Sequence, residues 1–374
     1  MTARIALPGR AKVLAIPDPG WAASYPPPAR RSVYAAAHVA AFPGGGIDWE
    51  STLRFREHLW AHGLGVAEAM DTAQRGMGLS FDQARELIGR STARAAELGT
   101  TIACGAGADQ LPAGAHRITA IIGAYAEQLE LVQAGGAEVI LMASRALAAS
   151  ARSGQDYLEV YGQLLKLADR PVILHWLGEA FDPALRGYWG SEDIDVAADT
   201  VIELIERSGG QVGGIKLSLL DAGREVALRR RLPPGVRLYT GDDFNYAELI
   251  KGDAQGHSDA LLGAFAAITA PAAAALRALD AGDVAGYDDA IGPTVALSRM
   301  IFEPPTYHYK VGVAFLAWLN GLQPHFAMLD RLQERRSAAH LIRVFELAAA
   351  ARALLEPDLA VSRMTEYLAG ALQA

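Results

Sequence analysis

Eight short apolar runs recur along the chain, most of them followed by a longer stretch of helical periodicity, and this alternation restricts the fold more than any other feature. The runs are residues 34–42, 64–70, 101–105, 138–143, 171–176, 212–217, 236–240 and 257–262. Helical patterns lie between them, among others at 49–62, 80–98, 118–133, 155–167, 196–207 and 246–251. Such alternation calls for parallel strands joined by right-handed crossovers, because a parallel neighbour is reached only by a connection long enough to cross the sheet. Eight units close into an α/β (β/α)8 TIM barrel; a doubly wound open sheet is the rival architecture. After Pro271 the periodic segments, 272–279, 284–290, 312–319, 335–355 and 361–372, are all helical. The expected organisation is an N-terminal arm over 1–32, rich in proline and basic residues, a barrel over 33–270, and a helical C-terminal region over 271–374 packed on it.

With 374 residues, 51% hydrophobic and 20% charged, the chain has ordinary globular composition. Its formal charge of −8 argues against nucleic acid or an anionic membrane surface as the main partner. The single cysteine, Cys104, leaves no internal disulfide and no cysteine-built metal site, which fits a reducing cytosol. The start, MTARIALPGRAKVLAIPDPG, has no long apolar core and reads as no signal peptide. The longest uncharged apolar stretch, 260–276, is broken by Pro271 and reads as a strand running into a helix, not a membrane span. The expected location is cytoplasmic.

One lysine stands out. Lys216 sits in GGIKLSLLD, late in an apolar run. Burying an ammonium is costly, and desolvation lowers its pKa until a neutral amine can attack a carbonyl. The end of a barrel strand is where such a group meets a substrate. The bland reading is a lysine that ends its strand and reaches solvent. Other motifs are weaker. Thr240-Gly241-Asp242-Asp243 makes a turn as readily as a site. Gly105-Ala106-Gly107 lacks the third glycine of a dinucleotide fingerprint, because position 110 is Gln, so no cofactor is expected. His58 and His62 share a helical spacing without the glutamate of a metalloprotease motif. The stretch 256–260 lacks the closing glycine of a nucleophile elbow. Arg229-Arg230-Arg231 reads as a solvated helix end.

Taken together, GGIKLS, PVILHW (171–176), YTGDD (239–243) and IDWES (47–51) resemble the dihydrodipicolinate synthase and N-acetylneuraminate lyase superfamily in order and spacing. The whole chain, C-terminal region included, resembles an uncharacterised branch of it, once labelled a domain of unknown function. The resemblance implies that Lys216 forms a Schiff base. It also implies departures. Met70-Asp71-Thr72-Ala73-Gln74 stands where the family has Gly-Thr-Thr-Gly-Glu. Thr72 keeps the threonine that holds a 2-oxo acid carboxylate, whereas Asp71 replaces the threonine of the proton relay. His175 takes the place of the catalytic tyrosine, Arg145-Ala146 that of a tyrosine pair, and Ala180 lies near the place of the synthases' aldehyde-binding arginine.

The function these residues imply is a class I aldolase or lyase acting on a 2-oxo acid or sugar-derived keto compound, and not dihydrodipicolinate synthase itself. Lys216, His175 and Asp71 are the expected catalytic residues, with His175 moving protons and Asp71 orienting it. Thr72, Glu68, Glu179, Asp243 and Ser258 are the expected substrate contacts. No metal is expected. The alternatives are a dehydratase using the same iminium, a barrel that binds a sugar without turnover, and a metal site built from His175, Asp71, Glu179 and His257. The expected partners are a small keto acid or sugar-like molecule and further copies of the chain, since the superfamily is commonly oligomeric.

Overall fold

In the computed structural model, which describes residues 3–371, eight parallel strands close into a barrel. Residues 1–2 of the expected arm and Leu372, the expected end of the last helix, lie outside the described residues. The arm is not wholly irregular: β1 (Ala3–Ile5) and β2 (Leu14–Ile16) pair as an antiparallel hairpin. The barrel strands are β3 (Val33–Ala36), β4 (Gly65–Glu68), β5 (Ile102–Ala106), β6 (Glu138–Leu141), β7 (Val172–Leu177), β8 (Val212–Ser218), β9 (Arg237–Thr240) and β10 (Asp259–Leu262). They follow one another around the barrel in chain order, and β10 closes on β3. The doubly wound sheet is thereby excluded.

The helices are α1 (Trp49–Ala61), α2 (Phe81–Leu98), α3 (Ile118–Ala134), α4 (Arg145–Ser150), α5 (Gly154–Leu167), α6 (Ile194–Arg207), α7 (Ala222–Arg229), α8 (Tyr246–Lys251), α9 (Ala264–Ala267), α10 (Thr269–Ala281), α11 (Val284–Ile301), α12 (Lys310–Leu319), α13 (Ala338–Ala350) and α14 (Pro357–Ala371). Their ends follow local chemistry. Ser80 and Gln83 form a reciprocal capping box at the head of α2, and Gly99 takes the left-handed conformation that ends it. Pro271 does not break a helix. It lies in the first turn of α10, where a missing N–H costs nothing, so α10 runs across the expected junction at 270.

Side chains alternate along each strand between the barrel interior and the layer against the helices. Tyr34, Ala36, Ala67, Ala103, Ile140, Ile173, Tyr239 and Leu261 cluster together in the interior, with Met70 and Met142. Gly65 of β4 and Gly214 of β8 leave room for the rings of Tyr34 and Tyr239, which a Cβ there would meet at 2.8 and 2.6 Å. The N-terminal end of the barrel is sealed by polar pairs: Tyr34 donates to Glu138 at 2.8 Å, and Arg237 meets Asp259 at 2.7 Å. The other end, at the strand C-termini, is left to build a site.

Candidate active site

Lys216 is the fifth of seven residues in β8, and its register partner in β7 is His175. The amine is buried, at 8% exposure. Two glycines make room for the surroundings. A Cβ at Gly241, just after β9, would meet Lys216 Cε at 2.8 Å and collide with Ser218 Oγ. A Cβ at Gly263, just after β10, would meet the ring of Tyr309 at 2.9 Å.

After Glu68 the chain leaves β4 through Ala69, whose φ of 52° is left-handed. That conformation costs about 1–2 kcal/mol for an L-residue. The strain turns the backbone into the short 3-10 turn Asp71–Ala73, which places Asp71 and Thr72 over the mouth. Gln74 fixes this loop from the far side: its amide donates to Leu329 O at 3.0 Å, and its oxygen accepts from Leu329 N at 3.2 Å. Arg75 fixes it from below, donating to Gly105 O at 2.8 Å and to Gln128 Oε1 at 2.6 Å while pairing with Asp109.

Electrostatics follow from burial. Desolvation pushes the Lys216 pKa down, and the carboxylates of Asp71 and Asp243 pull it partly back. Asp243 is buried too, and its pKa is pushed up to about 7, against the hydrogen bond from Ala264 N (2.8 Å) and the charge of Lys216. Neither ion is well solvated, so the neutral amine lies within reach. His175 is held well below its ordinary pKa, first by burial and then by Lys216.

The expected His175–Asp71 unit does not form. Neither ring nitrogen of His175 has a hydrogen-bond partner among the described residues, and its ring stays neutral. Instead His175 and Ser218 present buried, unpartnered polar atoms beside Lys216. Asp71 lines a cavity of about 340 Å³ at the mouth, together with Arg75, Asp109, Arg145 and Asp182. Thr72 shares a 2.6 Å hydroxyl–hydroxyl hydrogen bond with Tyr309.

Three expected substrate contacts lie elsewhere. Glu68 points outward from β4 and is bound by both Arg56 guanidinium arms at 2.8 Å, so its oxygens are committed to that pair. Ser258 also faces the helix layer, where it donates to Glu225 at 2.7 Å. Glu179 is a surface residue, 65% exposed, near Arg186. The metal alternative also loses its geometry. Among the described residues no group of three or more His, Cys, Asp or Glu side chains stands in metal-holding arrangement, and His257 lies at the opposite, N-terminal end of β10.

Tyr309 and Lys310 were missed. Both come from the C-terminal region, at the head of α12, and no local motif marks them. Lys310 carries the same signal as Lys216, a lysine in an apolar run, YKVGVAFLAWL. Burial holds the Tyr309 hydroxyl well above the ordinary tyrosine pKa, so it stays protonated.

No helix among the described residues is long and apolar enough to cross a membrane. No curated protein matches the sequence. Among solved structures, the chain is similar to dihydrodipicolinate synthase from Oceanobacillus iheyensis, with 17% identity and a TM-score of 0.65 over 85% of this chain and 95% of that one. The enzyme of the same name from Thermotoga maritima aligns with 15% identity and a TM-score of 0.66, over 87% and 99% of the two chains. YagE from Escherichia coli K12, a prophage protein of the dihydrodipicolinic acid synthase family in complex with pyruvate, aligns with 16% identity and a TM-score of 0.66, over 85% and 99%. At such identities the likeness is one of fold. Residues 9–371 match the model of a family described as "Protein of unknown function (DUF993)". The chain therefore belongs to that family of unknown function, and it carries the barrel fold of the dihydrodipicolinate synthases.

Proposed function

We propose that the protein is a class I, Schiff-base-forming aldolase or lyase acting on a 2-oxo acid or sugar-derived keto compound. The observation that carries this reading is Lys216: an interior amine at the C-terminal half of a barrel strand, with no carboxylate within 4.0 Å among the described residues. In the proposed reaction the neutral amine adds to the substrate carbonyl, and the carbinolamine loses water to give an iminium. The iminium accepts the electron pair of an adjacent breaking bond, so carbon–carbon cleavage becomes feasible. Asp71 and the Thr72–Tyr309 hydroxyl pair stand at the mouth to move protons, and His175 and Ser218 offer neutral hydrogen bonds to substrate oxygens.

His175 in the tyrosine's place, and Ala180 near the arginine's, favour a substrate other than aspartate semialdehyde. A cytoplasmic homo-oligomer divided into arm, barrel and helical region belongs to the same reading.

Borohydride reduction in the presence of pyruvate tests it. The substrate mass should appear on the peptide holding Lys216 and be absent from Lys216→Ala. Because burial lowers the Lys216 pKa, the trapping rate should rise with pH and level off below the range of an exposed lysine, about 10.4. An adduct only on Lys251 or Lys310 would remove Lys216 from the mechanism.

A further inference from the structure

Lys310 opens α12, a helix otherwise built from apolar residues, and is 2% exposed. An ammonium has three donors to satisfy. Among the described residues its one hydrogen-bond partner is Met77 Sδ at 3.3 Å, and the Tyr309 ring centroid lies 5.0 Å away. Both are soft and uncharged. Among the described residues no carboxylate lies within 4.0 Å of it. The charges that act on Lys310 are those of Asp71, Arg145 and Asp182, and all three line the mouth cavity. Lys310 lies behind that lining, and the two cations on the lining itself are engaged: Arg75 pairs with Asp109, and Arg145 with Asp182. A buried cation with no counterion in contact is costly to keep, and a methionine would fill the same space at no such cost. Burial draws the Lys310 pKa down to about 8, so most of the amine is still protonated at neutral pH.

We infer that Lys310 is the recognition residue for an anionic group of the substrate, a carboxylate or a phosphate, that enters through the cavity of about 340 Å³ and reaches Lys310 behind its lining residues Asp71, Arg145 and Asp182. The inference rests on the reading of this cavity as the substrate site, and it extends that reading to a second amine distinct from the Schiff-base lysine. The anion completes the charge that the protein leaves unpaired. A substrate without such a group would bind there weakly.

Calorimetric titration of the full chain at pH 7 with inorganic phosphate and, separately, with malonate tests this directly. At least one anion should bind in a single class of site. Lys310→Met should weaken that binding by about tenfold or more, the usual worth of a charge-assisted hydrogen bond. Lys310→Arg should retain most of it, and Lys251→Met, which alters a lysine paired with Glu248 and Asp288 away from the cavity, should leave it unchanged. Binding of malonate alone identifies a carboxylate site, and of phosphate alone a phosphate site. If neither anion binds the wild type, or if Lys310→Met binds as the wild type does, the inference is wrong. Absence of a borohydride adduct alongside intact anion binding would instead overturn the Schiff-base proposal and leave Lys310 in its role.

Discussion

Thr72 and Tyr309 illustrate how much a single hydroxyl can carry. Their hydrogen bond, 2.6 Å long and buried, joins the loop after β4 to the head of α12. Tyr309 stacks on Phe302 at 4.3 Å between ring centroids, which fixes the phenol's direction. A protonated donor held this rigidly suits proton delivery to a leaving group. Tyr309→Phe keeps the ring and its stacking but removes the donor. Turnover of any accepted keto substrate should fall by about 10²–10⁴, the worth of a general acid. The Lys216 adduct should still form, because the amine is untouched. Near wild-type turnover in Tyr309→Phe would take the hydroxyl out of the chemistry.

Strands and helices show what could be read from the sequence and what could not. Eight apolar runs were enough to count the barrel strands, because parallel strands covered on both faces are apolar nearly throughout. That same continuity hides which residues face inward. Glu68 and Ser258 each sit one position away from an interior residue, Ala67 and Asp259, and a period of two sends them to the opposite face. Lys216 was legible because an amine in such a run has few places to go. Asp71 and Thr72 were legible from the family motif. Glu68 turns out to be structural: with Arg56 it forms a fully buried pair between β4 and α1, and Arg56 also donates to Thr52 O at 3.0 Å. Glu68→Ala should lower unfolding stability by about 3–5 kcal/mol, since a buried guanidinium loses its counterion. Denaturant titration would register that loss. Borohydride trapping at a permissive temperature should be unaffected, and selective loss of the adduct without destabilisation would return Glu68 to the site.

Beside the cluster inside the barrel, a second and larger core ties the parts of the molecule together. Buried apolar residues of the N-terminal hairpin, the barrel–helix layer and α10–α13 form one contiguous cluster. The arm is tied to the C-terminal region at several points. Trp21 Nε1 donates to Arg352 O at 2.8 Å, and the Ala29 and Arg30 amides donate to Asp280 at 2.9 Å. Unfolding should therefore occur in a single transition, with loss of near-ultraviolet dichroism coinciding with loss of borohydride trapping. Two resolved transitions would show the helical region to be a separate unit.

The position of Tyr309 and Lys310, downstream of all eight barrel strands, has a consequence during synthesis. Chains are made at about 5–20 residues per second and fold from the N-terminal side first. A nascent chain thus carries Lys216 before the ribosome has delivered the phenol and the second ammonium. On the proposed mechanism, catalytic competence arrives only when α12 docks, so the order of translation itself keeps the unfinished chain from turning over its substrate.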